Sequence, residues 1–238
     1  MNYRHCQYIV TSIVLAMPAV ALGDGVSIDR IYDPYVQQTE KELEFRALIH
    51  NDSDPMQDDN QRFKLGYGQS LSDSWFTEIY AVGHRKSDQS LQLDAYEIEF
   101  KWQLTEQGEY DNDWGLMFEL ERETVENAWE QSTTLIMLHQ WRRWVGTLNA
   151  SLSYQWGTTI DNEFSTAMAA QLHYRYKPSL EPGLELHLSA DTTAIGPSLA
   201  GKLRLGGRKQ LFWSTALLAG FNHTTPDISL NFNLEYEF

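Results

Sequence analysis

The feature that most constrains this chain is an alternation at its end. From Ile228 to Phe238 the sequence runs I-S-L-N-F-N-L-E-Y-E-F. Ile228, Leu230, Phe232, Leu234, Tyr236 and Phe238 fall on one side, and Ser229, Asn231, Asn233, Glu235 and Glu237 on the other. Side chains alternate across a strand with period two, so this stretch predicts a strand with one apolar and one polar face. A terminal strand with a wholly apolar face is a liability in water. Against lipid the same face is stable.

The pattern recurs upstream at regular spacing. Strands are predicted at about 41–50, 62–69, 75–85, 91–104, 113–123, 133–142, 144–156, 163–177, 184–191, 197–205 and 211–222, with polar, Gly- and Asn-containing turns between them. In the fourth, Tyr96, Ile98, Phe100, Trp102 and Leu104 oppose Glu97, Glu99, Lys101 and Gln103. The sixth is ambiguous, because Leu135 and Met137 compete with Ile136 and Leu138 for the apolar face. The count of about twelve is even, and segments of roughly 9–11 residues suffice to cross a bilayer when tilted. Ten strands remains open as the alternative count.

The closing strand, ending on Phe238 with aromatics at alternate positions before it, resembles that of bacterial outer-membrane β-barrel proteins. The resemblance implies an all-β, transmembrane antiparallel β-barrel in the outer membrane, preceded by a cleaved signal peptide. Its partners would be outer-membrane lipids and the barrel assembly machinery, with Phe238 as the membrane-insertion signature. A second pattern agrees. Under this threading Trp75, Trp102, Trp114, Trp141, Trp144, Tyr176 and Tyr236 fall near the periplasmic strand ends, and Trp156, Phe164 and Phe221 near the opposite ends. Aromatic girdles at both interfaces are what such barrels carry. A soluble periplasmic barrel also alternates, but would place apolar residues inside without sorting aromatics to strand ends.

Residues 1–23 read as a signal peptide: Arg4, then a mostly apolar run from Ile9 to Leu22, then small residues suited to cleavage. Cys6 precedes the apolar run and would leave with it, which excludes disulfides and thiol chemistry from the mature chain. Residues 24–40 read as a periplasmic lead-in whose Ile28, Ile31, Tyr32 and Tyr35 either tuck into the barrel mouth or form a loose tail; 41–238 is the barrel. The net charge of −15 excludes nucleic acid as a partner, since phosphate binding needs clustered Lys and Arg.

Function can be read only from the inward face. Glu97, Glu99, Lys101, Glu119 and Glu121 form a predicted lumen charge cluster, with Glu42, Glu44, Glu78, Arg46 and Lys64 nearby. His173, Arg175, His187, Lys202 and Arg204 supply an opposite wall. Like charges on neighbouring strands are unfavourable and demand a counter-charge from Lys101, Arg46, the opposite wall or a bound cation. Two readings stand: a salt-bridge network filling the lumen, or a pore whose charged walls set selectivity. Metal binding through the cluster is a lesser reading; no metal site, cofactor or specific protein partner is assigned. His187-Leu188-Ser189 puts His and Ser on one face about 7 Å apart. It is similar to the pair of lipid A deacylases, but Ala190 stands where Asn would follow, and the pair should face inward. No catalytic residue is assigned. The expected function is a narrow channel for small solutes or ions, or a structural envelope barrel; the alternatives are a lipid-modifying enzyme and a soluble periplasmic binding barrel.

Overall fold

A computed structural model describes residues 27–53, 59–86, 90–125 and 127–238. The predicted signal peptide with Cys6, and the first residues of the lead-in, lie outside the described residues. The described chain forms twelve strands: β1 (Lys41–Asn51), β2 (Gln61–Ser70), β3 (Trp75–Arg85), β4 (Gln92–Gln103), β5 (Asn112–Glu123), β6 (Ala128–Trp141), β7 (Trp144–Gly157), β8 (Glu163–Tyr174), β9 (Glu181–Ser189), β10 (Thr193–Gly206), β11 (Lys209–Gly220) and β12 (Ile228–Glu237). Each pairs antiparallel with its sequence neighbours, and β1 closes on β12. The even count returns both termini of the barrel to one end, called here the terminal end, where the Phe238 N–H donates to the Lys41 carbonyl (2.9 Å). The opposite end is the far end.

Closure leaves no unpaired edge, so the closing strand that would be a liability alone is paired on both sides. Its apolar face points outward: Ile228 and Leu230 are exposed, while Ser229, Asn231, Glu235 and Glu237 are buried inside. The same sorting holds around the barrel, with Leu43, Leu65, Ile79, Tyr96, Leu152, Phe164 and Leu217 among the exposed outer residues. Aromatic rings stack across strands near both rims. Trp75 lies on Trp102 (5.2 Å between ring centroids) at the terminal end and Trp129 on Trp156 (6.4 Å) at the far end; along the closing strand itself Tyr236 stacks on Phe238 (5.7 Å).

β9 begins at Glu181 and takes in Pro182 and Gly183, which read as a turn in the sequence. Proline is tolerated at a strand's start. The turn itself is Lys177–Leu180, closed by the Leu180 N–H donating to the Lys177 carbonyl. The sixth strand resolves its ambiguity with Leu135 outward and Ile136 and Leu138 buried inward.

The physical reason for inward apolar residues is that the lumen is not filled by water and wall charges alone. Residues 27–40 do not stop at the barrel mouth. They run the length of the lumen, from Ser27, whose N–H donates to Thr192 Oγ1 (2.9 Å) at the far end, to Glu40 at the start of β1. Ile28 packs with Leu48, Ala194, Ala216 and Leu218, and Tyr32 with Met117 and Ile136. Pro34 comes close to the β5 backbone at Gly115: a Cβ there would sit 3.0 Å from Pro34 Cβ, so a larger residue would require the segment to shift.

Candidate functional site: a charged lumen closed by residues 27–40

The segment is held by ion pairs and by backbone clamping. Arg30 reaches Glu44 Oε1 and Glu235 Oε2, each at 2.7 Å, bridging β1 and β12 at the barrel seam. Two near-equivalent charge-assisted bonds from one guanidinium make a directional anchor. Asp29 accepts from Lys64 Nζ (2.8 Å) and faces Arg46 Nη1 at 3.4 Å. Asn149 grips the backbone of Tyr32 at two points: its Oδ1 accepts from the Tyr32 N–H (2.7 Å) and its Nδ2 donates to the Tyr32 carbonyl (2.9 Å). A single side-chain amide thus replaces the strand partner that this stretch lacks. Nearer the terminal end the Tyr35 hydroxyl donates to Asp113 (2.6 Å) and the Val36 N–H to Gln103 Oε1 (2.7 Å).

Arg46 is the centre of the network. It donates to Glu44 (2.9 Å) and to the hydroxyls of Tyr32 and Tyr80 (2.6 Å each), and lies 3.5 Å from Glu99. Tyr80 reaches it because Gly66, opposite on β2, leaves room for the ring; a Cβ there would overlap Tyr80. Lys64 pairs with Glu97 (2.8 Å) and Arg62 with Glu121 (2.6 Å). An unpaired charge in so closed a space would cost several kcal/mol, so the pairing is what lets this lumen stay compact.

The predicted cluster is brought together in four of its five members. Glu97 stands opposite Glu121, and Glu99 opposite Glu119. Lys101 is not their counter-charge. It lies farther along β4 toward the terminal end, over the Phe76 ring (5.5 Å), and Lys64, Arg62 and Arg46 take the role instead. The opposite wall does not form as one surface. His187 is buried facing the far half of the lumen. His173, 3.2 Å from Glu181, and Lys202, over the Phe212 ring, face the terminal half. Arg175 and Arg204 are exposed at the rim, because β8 ends at Tyr174 and β10 bulges between Arg204 and Gly206. Sequence reasoning missed Asp29, Arg30, Tyr80, Asn149 and Glu235 as functional groups. The acid excess of the predicted lumen was the available signal, since it required cations such as Arg30.

Residues 27–40 leave a cavity on either side. The far-end cavity, of about 330 Å³, has one wall of Ser132, Thr134, Ser151 and Ser153 and another of Arg62, Lys64, Glu119 and Glu121. The terminal-end cavity, of about 690 Å³, is bounded by Glu42, Glu78, Lys101, Lys202, Glu235 and Glu237. His187 and Ser189 share the far-end cavity but are not joined. Ser189 Oγ accepts from the Thr192 N–H (3.0 Å), and neither His187 ring nitrogen has a hydrogen-bond partner among the described residues.

Solved structures of the same shape span the whole barrel. The COG4313 outer membrane channel from Pseudomonas putida F1 superposes with a TM-score of 0.54 at 12% identity, covering 92% of this chain and 100% of that one. The fold is that of an outer-membrane β-barrel. The KdgM porin in complex with disordered oligogalacturonate (TM-score 0.54, 7% identity, 83% of this chain and 98% of that one) and the NanC porin (0.53, 7%, 82% and 98%) superpose equally well. At these identities the likeness is one of fold. No protein-family model matches the chain, and no curated protein matches it. The outer-membrane barrel fold, with its outward apolar belt and rims of aromatic rings, suits the protein to the bacterial outer membrane and to contact with its lipids.

Proposed function

We propose that the protein is a narrow outer-membrane channel for small polar solutes or cations, closed in this structure by its own residues 27–40. The observation that carries the reading is the arrangement of two polar cavities separated by one non-covalently held segment. A barrel wall is hard to rearrange, because every strand is paired on both sides. A segment held by side-chain contacts can leave as a unit. With the segment displaced, the wall presents Glu42, Glu44, Glu78, Glu97, Glu99, Glu119 and Glu121 in excess of its cations, and a wall of that sign favours cations. Polyanions such as oligogalacturonate, found with the KdgM porin, are disfavoured by the same charge. By convention for such barrels the terminal end faces the periplasm. The closing strand with Phe238 is the segment by which the assembly machinery would recognise the chain.

A hydrolase reading rests on His187 and Ser189 and lacks the hydrogen bond that would couple them. A permanently closed structural barrel is the second reading, favoured by the density of ion pairs around Arg46. Planar-bilayer recording of the purified protein decides. The channel reading expects small, cation-preferring currents that grow when residues 27–36 are deleted. Silence from both proteins would leave the structural barrel.

A further inference from the structure

We propose that Glu97, Glu119 and Glu121 form a site for a calcium-sized divalent cation at the floor of the far-end cavity, with Glu99 as a fourth carboxylate. The β4–β5 register sets Glu97 opposite Glu121 and Glu99 opposite Glu119, so the four acidic residues stand as two facing pairs on the inward side of two neighbouring strands. One oxygen from each of Glu97, Glu119 and Glu121 lies within 4.8 Å of the others. An ion with oxygen ligands at roughly 2.3–2.6 Å spans that separation from the centre.

A second observation points to the same ligand. Glu99 Oε2 is buried, on a side chain 2% exposed, and has no hydrogen-bond partner among the described residues, although Oε1 of the same carboxylate accepts from the Tyr32 hydroxyl (2.7 Å). A buried acceptor without a donor is rare in native structures and calls for an ion, a water or a proton. The neighbouring cations are already committed. Lys64 is shared between Glu97 and Asp29, Arg62 is on Glu121, and Arg46 is divided among Glu44, Asp29 and Glu99. Among the described residues, no ion pair reaches Glu119. Carboxylates directly opposite one another repel, and a divalent ion between them turns that repulsion into coordination.

The chemistry selects the ion. The donors are hard carboxylate oxygens, with no thiolate, and cavity water can complete the shell, which suits calcium and, with more retained water, magnesium. Glu119 and Glu121 line the far-end cavity, which extends to Glu130 and Gln155, so an ion reaches them from that side. The inference rests on the channel reading only for this route of entry.

The test uses the full-length protein in detergent micelles, stripped with chelator. Terbium is titrated and its luminescence, sensitised by tyrosines such as Tyr32, is followed; calcium is then titrated calorimetrically. The expected result is saturable binding of about one equivalent of terbium, displaced by calcium. The affinity should fall at least tenfold in Glu119→Gln with Glu121→Gln, and stay within twofold in Glu42→Gln, which removes a carboxylate from the acidic group at the terminal end. Absence of saturable binding to the wild type, or equal affinity in the double variant, overturns the site. If the double variant does not fold, Glu119→Gln alone is measured against the same tenfold expectation. Bilayer recording separates the two readings: current without ion binding overturns this site and leaves the channel, and ion binding with no current from either the wild type or the protein lacking residues 27–36 supports the site and removes the channel.

Discussion

Replacing Arg30 with methionine isolates the anchor of residues 27–40, because Arg30 belongs to the segment and its partners to the wall. The change keeps the side-chain bulk and removes both 2.7 Å contacts, to Glu44 and to Glu235. Glu44 keeps Arg46 at 2.9 Å, but Glu235 loses the cation it is paired with. Removing one partner of a buried pair costs about 3–5 kcal/mol. Arg30 is 21% exposed, and its lumen surroundings contain cavity, so about 2–3 kcal/mol is the better figure here. At about 1.4 kcal/mol per tenfold, the ratio of displaced to seated segment should rise by roughly 30- to 140-fold. The barrel should be unharmed, since no strand pairing is touched. Single-channel recording reads the effect as open probability, and heat-modifiable gel migration confirms the folded barrel. Arg30→Lys, which keeps the charge but loses the two-pronged geometry, should fall between. An open probability within twofold of the wild type in Arg30→Met would refute the idea that these ion pairs hold the segment in place.

Asn149→Ala should act in the same direction by freeing the Tyr32 N–H and carbonyl, at about 1–3 kcal/mol of seating energy, and a change in open probability smaller than twofold would contradict it. Gly66→Val should push the Tyr80 ring off its place beside Arg46 and lower the barrel's melting temperature, by about 1–3 kcal/mol of overpacking; an unchanged melting temperature in detergent would count against the fit described. Cysteines at Leu148, Leu152, Leu172 and Leu234 should be shielded by lipid, and those at Ser151, Ser153, Gln171 and Asn233 should react with small aqueous thiol reagents; the reverse pattern would exchange inside and outside. Once the segment is released by Arg30→Met, Glu97→Gln with Glu99→Gln should lower cation preference, and a reversal potential that does not move would remove these carboxylates from the pathway.

The barrel was legible because its information is local. Alternation at period two states which side chains share a face, and strands such as β4 and β7 declare both faces within a dozen residues. β6 did not, and the structure shows why: on the inward face Ile136 packs on Tyr32, and Leu138 is buried beside the terminal-end cavity, so neither meets lipid. Residues 27–40 carry no periodicity, and their partners lie on strands scattered from β1 to β12, so no window of sequence contains the interaction. The acidic cluster on β4 and β5 was legible from parity alone. Of its counter-charges Arg46 was among those the sequence offered; Lys64 and Arg62 were not, because they reach it from another strand, and Lys101, adjacent in sequence, is displaced along the barrel axis. Arg175 and Arg204 had the parity of wall residues, but strand endings placed them at the rim.

The central claim is that residues 27–40 thread the lumen from end to end, and an introduced disulfide tests it directly. The Ser27 N–H donates to Thr192 Oγ1 (2.9 Å), so the two residues are in direct contact, as a disulfide between them requires. Ser27→Cys with Thr192→Cys, expressed in cells and examined as isolated membranes under mild oxidation, is read by the migration of the unreduced protein. A control pair, Ser27→Cys with Arg204→Cys, joins the same residue to the rim at the other end. The account predicts that the first pair crosslinks nearly completely, abolishes the current gained by Arg30→Met, and restores it on reduction, while the control pair stays reduced. Crosslinking of Ser27 to Arg204 and not to Thr192 would place the segment at the terminal mouth and contradict the account.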